Sequence, residues 1–375
     1  MSSMAAFTGP PRSTQISFRS RPLSLLCSRC FVALLAASGG LAGLSTTAAL
    51  PAQPVRIDLI KDLPSAGDLA APANGQTLYI LDESRGEIIA IDPFEPAKRW
   101  TAVAAPDAAT KPLAIGCIDT SMLAILCRKA NAWSLQTHRP QPGTTADPGR
   151  SGQTVAIGAA AAVDKTPPAA AAVQPPEDGR PCLVVSPSRD WLAVCGLPAP
   201  LPAVVRGPIA GARIGSMSAR ACPTLAAGLR PAAATISTAD EFVLFTTNPA
   251  NRGSASIFVS FQLPPDPRQL LSLDTTLSSV RDAAFCRADG TLWVVGGGVG
   301  GGGTAASAAP EGLWRIDAVL RDGRQSAQAV CVARLDAPRA VACLSERAII
   351  VTHGRAVRMV SRFDPTQTAP DAIKP

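Results

Sequence analysis

The stretches DLAAPANGQTLYILD (68–82) and DAAFCRADGTLWVVG (282–296) follow one template. Three or four apolar residues lead into a polar turn of about five, and four more apolar or β-favouring residues follow, which is the pattern of two short strands joined by a tight turn. Weaker copies are LAIGCIDTSMLAILC (113–127), LVVSPSRDWLAVCG (183–196), AAATISTADEFVLFTT (232–247) and RAVACLSERAIIVTHG (339–354). Six hairpins therefore share one plan.

Further β-like segments follow these hairpins. The third strands are GEIIAID after Tyr79, ANAWSLQ after Leu123, ASIFVSF after Val243, EGLWRID after Trp293 and RAVRMVS after Ile349. Fourth strands are RWTAVAA, QTVAIGA, RQLLSLD and AQAVCVARLD. Four antiparallel strands per unit, repeating about every 45 to 70 residues, form the blade of a β-propeller. A sandwich or an α/β fold does not produce that regularity. The expectation is an all-β chain with about six four-stranded blades, or seven if residues 206–227 supply a degenerate extra strand pair. The last unit has three strands before the tail 364–375, and PVRIDLIKDL (54–63) stands first with no partner, so pairing the two would close the ring and remove exposed edges.

On these repeats the chain resembles the β-propeller superfamily over roughly residues 54–363. The copies at 68–92 and 282–317 are similar to blades of the NHL, YVTN and gluconolactonase-like kinds. Such a resemblance specifies fold far better than function.

Composition agrees with short strands and tight turns: aromatics are 4%, with 30 glycines and 35 prolines among 375 residues. The formal charge of +7 belongs largely to residues 1–49, which hold Arg12, Arg19, Arg21 and Arg29 and no acid. The remaining 31 bases against 28 acids make no basic stripe, and no nucleic-acid partner is expected. Residues 1–49 have the three-part order of a secretory leader: arginines, the apolar run FVALLAASGGLAGL (31–44), then small residues with cleavage after Ala49 or Ala52. Export to the periplasm or the cell exterior follows, with no stable membrane span once the leader is removed. The alternative is an uncleaved signal anchor tethering the protein.

Three stretches, 139–152, 159–179 and 296–310, read as loop insertions rich in Pro, Gly and Ala. Gly296, Gly298 and Gly301 have the spacing of a dinucleotide fingerprint, but TAASAAPEGLW is no helix to hold a pyrophosphate. The two histidines, His138 and His353, lie at strand ends where an exposed polar residue is ordinary, and neither accompanies a nucleophile elbow.

Aligning the hairpins puts Asp68, Asp282 and Arg339 at equivalent strand starts, with Leu113, Cys182 and Ala233 in the other three units. In gluconolactonase-like propellers acidic residues near the channel mouth bind metal, so Asp68 and Asp282 are weak candidates for calcium or zinc. The favoured reading has the same carboxylates bonded to backbone amides or paired with arginines. Turns on that face bring up Asp82, Glu83, Arg85, Arg128, Asn251, His353 and Arg355. The candidate binding face is Asp68, Asp82, Arg85, Arg128, Asn251, Asp282, Arg339 and His353. Among the cysteines, Cys182 and Cys195 flank one turn symmetrically and are the disulfide candidate. Cys117, Cys286 and Cys343 occupy one repeat position, filled by Pro72 in the first unit, a slot for a small buried residue. The functional expectation is a noncatalytic exported scaffold that binds a protein or a glycan through this face, without a cofactor. The alternative is a metal-assisted hydrolase or lactonase using Asp68 and Asp282.

Overall fold

The computed structural model describes residues 55–361 apart from 73–74, 106, 108, 141–150, 159–179, 199–200, 212, 219–229, 238–239, 241, 248–254, 261–270, 273–276, 287–289, 299–310, 322–323 and 346–347. The expected leader, the tail from 364 and most of each insertion lie outside the described residues. No helix among the described residues is long and apolar enough to cross a membrane.

The described chain is all β and propeller-like. Strand β1 (Val55–Ile60) is followed by β2 (Ala66–Ala70), β3 (Leu78–Asp82), β4 (Glu87–Ile91) and β5 (Arg99–Val103). Next come β6 (Thr110–Asp119), β7 (Met122–Lys129), β8 (Ala132–His138) and β9 (Ser151–Ile157), then β10 (Cys182–Val185), β11 (Trp191–Cys195), β12 (Val204–Ala210) and β13 (Arg213–Ile214). The rest are β14 (Arg230–Ile236), β15 (Phe242–Thr247), β16 (Ala255–Ser260), β17 (Leu271–Ser272), β18 (Leu277–Phe285), β19 (Leu292–Gly298), β20 (Glu311–Arg321), β21 (Arg324–Arg334), β22 (Pro338–Ser345), β23 (Ala348–His353) and β24 (Ala356–Ser361). Among the described residues they make six four-stranded antiparallel sheets. Five run in chain order, β2 to β5, β6 to β9, β10 to β13, β14 to β17 and β18 to β21, and the other is ordered β22-β23-β24-β1.

Each expected hairpin is the first strand pair of one sheet. Residues 204–214 supply β12 and β13, the third and fourth strands of the sheet begun by β10. Gly207 and Pro208 obscure β12 in the sequence, because proline lacks the N–H a ladder needs and glycine lacks β preference. β1 lies antiparallel to β24 with Val55 opposite Ser361, and Arg358 Nε donates to Asp58 Oδ1 at 2.6 Å across the pair.

The second strand of each sheet explains the continuous apolar runs. β3 and β11 are buried at every position and β7 from Met122 to Cys127. A strand with paired neighbours on both edges and sheets on both faces has no wet side, so alternation disappears. Third strands such as β4 and β8 keep partial alternation. Apolar clusters fill the spaces between successive sheets: Tyr79, Leu81, Ile115 and Ile125 between the first two, Trp293, Val295, Val341 and Ile349 between the sheets of β18 and β22. Leu78 and Ile80 in turn meet Ala340 and Ile350, so the sheet of β22 packs on that of β2. Burying each of the leucine, isoleucine and valine side chains among them contributes roughly 1.5–3 kcal/mol.

Candidate functional site

The first strands β2, β6, β10, β14, β18 and β22 line one cavity of about 540 Å³, reached by side chains and backbone from all six sheets. Asp68 and Asp282 stand at its walls together with Cys117, Cys182, Thr235, Cys286 and Cys343. The equivalence read from the repeats therefore becomes a shared channel.

Both aspartates do the same local work. Asp68 Oδ1 accepts from Leu69 N at 2.8 Å, and its Oδ2 accepts from Ile115 N on β6 at 2.8 Å. Asp282 Oδ2 accepts from Val341 N on β22 at 2.8 Å. Each carboxylate thus ties its own inner strand to the inner strand of a neighbouring sheet. Thr235 on β14 makes the same kind of link with a neutral group, its Oγ1 accepting from Phe285 N at 3.2 Å.

Asp68 and Asp282 touch the channel but are otherwise walled in by protein. Loss of solvation pushes the Asp68 carboxyl up to about 6, against the lowering effect of the Ile115 and Leu69 amides and of Arg180. Desolvation also raises Asp282 well above the usual carboxylate range, and the charge of Asp68 adds to it. A group titrating near neutrality is able to exchange protons, yet the hydrogen bonds just described use these oxygens for holding sheets together.

Above them lies a charged bridge. Glu83, on the turn between β3 and β4, is ion-paired through Oε1 to Arg180, just before β10. Its Oε2 lies 4.0 Å from Arg339 Nη1 at the start of β22. Glu83 is 17% exposed, against 40% for Arg180 and 38% for Arg339. Its side chain crosses Gly67, where an added Cβ would lie 2.6 Å from Glu83 Oε1, so glycine there makes room for the bridge. Nearby, Arg281 pairs with Glu311, and its Nη1 donates to Pro338 O at 2.9 Å.

The other expected face residues divide. Asp82 is not a face residue but a buried turn-former, 2% exposed. Its Oδ1 accepts from Ser84 N at 3.0 Å and Ser84 Oγ at 2.6 Å, and Gly86, at φ +67°, donates its N–H to Asp82 O. Aspartate is common in turns for this reason. Arg85 is exposed, and its Nε lies 3.9 Å from Asp82 Oδ2. Arg128 is exposed over the Trp133 ring at 5.8 Å, its Nε donating to Ala130 O at 2.9 Å. His353 ends β23 opposite Pro338 and is half-buried. Asn251 lies outside the described residues. His138, expected to be exposed, is buried beside Gln136, Nε2 to Oε1 3.3 Å.

Cys182 and Cys195 are register partners, but the disulfide joins Cys286 to Cys343 instead. Directly opposed cross-strand residues hold their Cβ atoms about 4.5–5.5 Å apart, wider than the roughly 3.8 Å a disulfide prefers. The shared slot places Cys286 just past β18 and Cys343 on the adjacent inner strand β22. Gly296, the first glycine of the fingerprint spacing, sits on β19, and a Cβ there would collide with the Ser279 carbonyl. Close strand approach accounts for it without a nucleotide. Arg180 had no signal beyond standing at a strand start.

No family model and no curated protein matches the chain. Among solved structures it is similar to a glucose dehydrogenase at 11% identity, covering 82% of this chain and 99% of that one with a TM-score of 0.51. It is also similar to hydrazine synthase of Kuenenia stuttgartiensis, at 13% identity over 84% and 77% of the two chains, TM-score 0.50. A gluconolactonase from Xanthomonas campestris matches at 14% identity over 85% and 93%, TM-score 0.48. At these identities the likeness concerns the β-propeller fold alone.

Proposed function

We propose that the protein is an exported six-bladed propeller, its ring closed by β1 against β24, acting as a noncatalytic scaffold that binds a protein or a glycan through the face carrying the channel mouth. The observation that supports this reading is the engagement of Asp68 and Asp282 by backbone amides of neighbouring inner strands. Carboxylates committed to holding sheets together are poorly placed to gather a metal. The turns around them, with Arg85 and Arg128 exposed, remain available for contacts on a rigid frame.

The experiment pairs fractionation with binding. Full-length chain is expected in the periplasm or medium, and removal of residues 1–49 retains it in the cytoplasm. Purified mature protein, screened against a glycan array and by crosslinking in the exported fraction, is expected to lose its ligand on Arg85→Glu with Arg128→Glu. Calcium- or zinc-dependent lactone or ester turnover abolished by Asp282→Ala would overturn the scaffold reading in favour of a hydrolase.

A further inference from the structure

Glu83 is the one carboxylate shared by two arginines that come from different sheets, among the ion pairs of the described residues. Each oxygen faces a different guanidinium: Oε1 meets Arg180, which leads into β10, and Oε2 meets Arg339, which opens β22. Arg339 belongs to β22 and Arg180 stands two residues before β10, whereas Glu83 arrives on a turn and reaches across Gly67. Asp68, Cys182 and Val341, one or two positions from Gly67, Arg180 and Arg339, line the cavity, so the two cations stand at its rim with one anion between them.

We propose that Arg180 and Arg339 form a carboxylate receptor at the channel mouth, and that Glu83 occupies it as a built-in mimic displaced by a carboxylate-bearing ligand. The proposal rests on the mouth being the binding face, and adds the chemistry the ligand must carry. Guanidinium is suited to this because its planar donors match carboxylate geometry, and both arginines are more than a third exposed, so an incoming group reaches them from solvent. The head group takes the position of the Glu83 carboxylate, and an uncharged tail extends into the cavity of about 540 Å³ below. That tail passes Leu69, Ala70 and Ala71, which together with backbone line the wall of β2 and the residue after it. A second carboxylate on the tail would meet Asp68 and Asp282, so a monocarboxylate is favoured over a dicarboxylate.

Butyrate is the probe, butyramide its neutral control and succinate the dicarboxylate control, titrated calorimetrically into the mature protein. Glu83→Ala removes the mimic, and Glu83→Gln keeps its shape while removing its charge, so folding is guarded. Both variants are expected to bind butyrate about tenfold more tightly than wild type, the gain of one charge-assisted contact. Butyramide affinity stays unchanged and succinate gains less. Adding Arg180→Ala or Arg339→Ala abolishes the gain. Equal butyrate affinity in wild type and both Glu83 variants, or a gain that survives loss of both arginines, overturns the proposal. Macromolecular capture by the face is read separately through Arg85 and Arg128, so either claim fails without the other.

Discussion

β18 and β22 are joined at two places along the cavity wall, by different chemistry. Near the mouth, Asp282 on β18 accepts a hydrogen bond from Val341 N on β22. A few residues along, Cys286, just past β18, is bonded covalently to Cys343 on β22. The first link depends on the protonation and solvation of a buried carboxylate, the second on the redox state of two thiols. Inner strands of neighbouring sheets do not hydrogen-bond as a ladder, so side-chain links can join them, and no single residue type is required. That is why Asp68, Thr235 and a disulfide all appear at comparable places.

The largest expected effect comes from the covalent link. It closes a loop with a sequence separation of 57, worth about 4 kcal/mol by the chain-entropy estimate. Cys286→Ser with Cys343→Ser should lower the urea midpoint accordingly, and dithiothreitol should do the same to the wild type. A midpoint that ignores both treatments would remove the bridge from the comparison.

The carboxylate link should show itself through pH. Burial pushes the Asp68 carboxyl up to about 6 in the folded protein, above the 3.8 of a free aspartate side chain. Its folded form therefore holds the proton more tightly, and the associated stability is fully present below about pH 4 and lost as pH rises to about 6. Channel water reduces the full linkage value, leaving an expected loss of about 1–2 kcal/mol. Asp68→Asn should have a shallower slope over the same window in thermal melts between pH 4 and pH 7, the remainder belonging to Asp282. A wild type and variant with parallel pH profiles would contradict the assignment.

The neutral link sharpens the contrast with the smallest change. Thr235→Val keeps the shape and leaves Phe285 N without its acceptor, at a cost of about 1 kcal/mol. The loss should be independent of pH between 4 and 7 and of added reductant. Any pH slope would mean that β14 joins β18 through something other than this hydroxyl.

The hairpins were legible because their signal is local. LYIL, LAILC and LWVV are apolar runs bounded by turn residues, and a middle strand enclosed on both faces needs that composition. The equivalence of Asp68 and Asp282 was legible too, since repeats share an alignment. Contacts between repeats were not. Pairing of Cys286 with Cys343 depends on which inner strands lie side by side, while Cys182 and Cys195 looked better because they share one hairpin. Arg180 gains its interest solely from Glu83, almost a hundred positions earlier in the chain, and no periodicity links the two. Asp82 differs for another reason: the DESRG turn reads as polar and exposed, yet its aspartate folds inward to accept from the turn's own Ser84 amide and hydroxyl.

The pairing of β1 with β24 has a temporal side. Val55 leaves the ribosome some three hundred residues before its register partner Ser361. Until that last strand arrives, β1 has no ladder to join, and its Leu59 and Ile60 have no Val357 to pack against. Contacts this distant along the chain slow folding, because the intervening loop must be ordered first. Among the described strands, the one synthesised first therefore finds its ladder partner last.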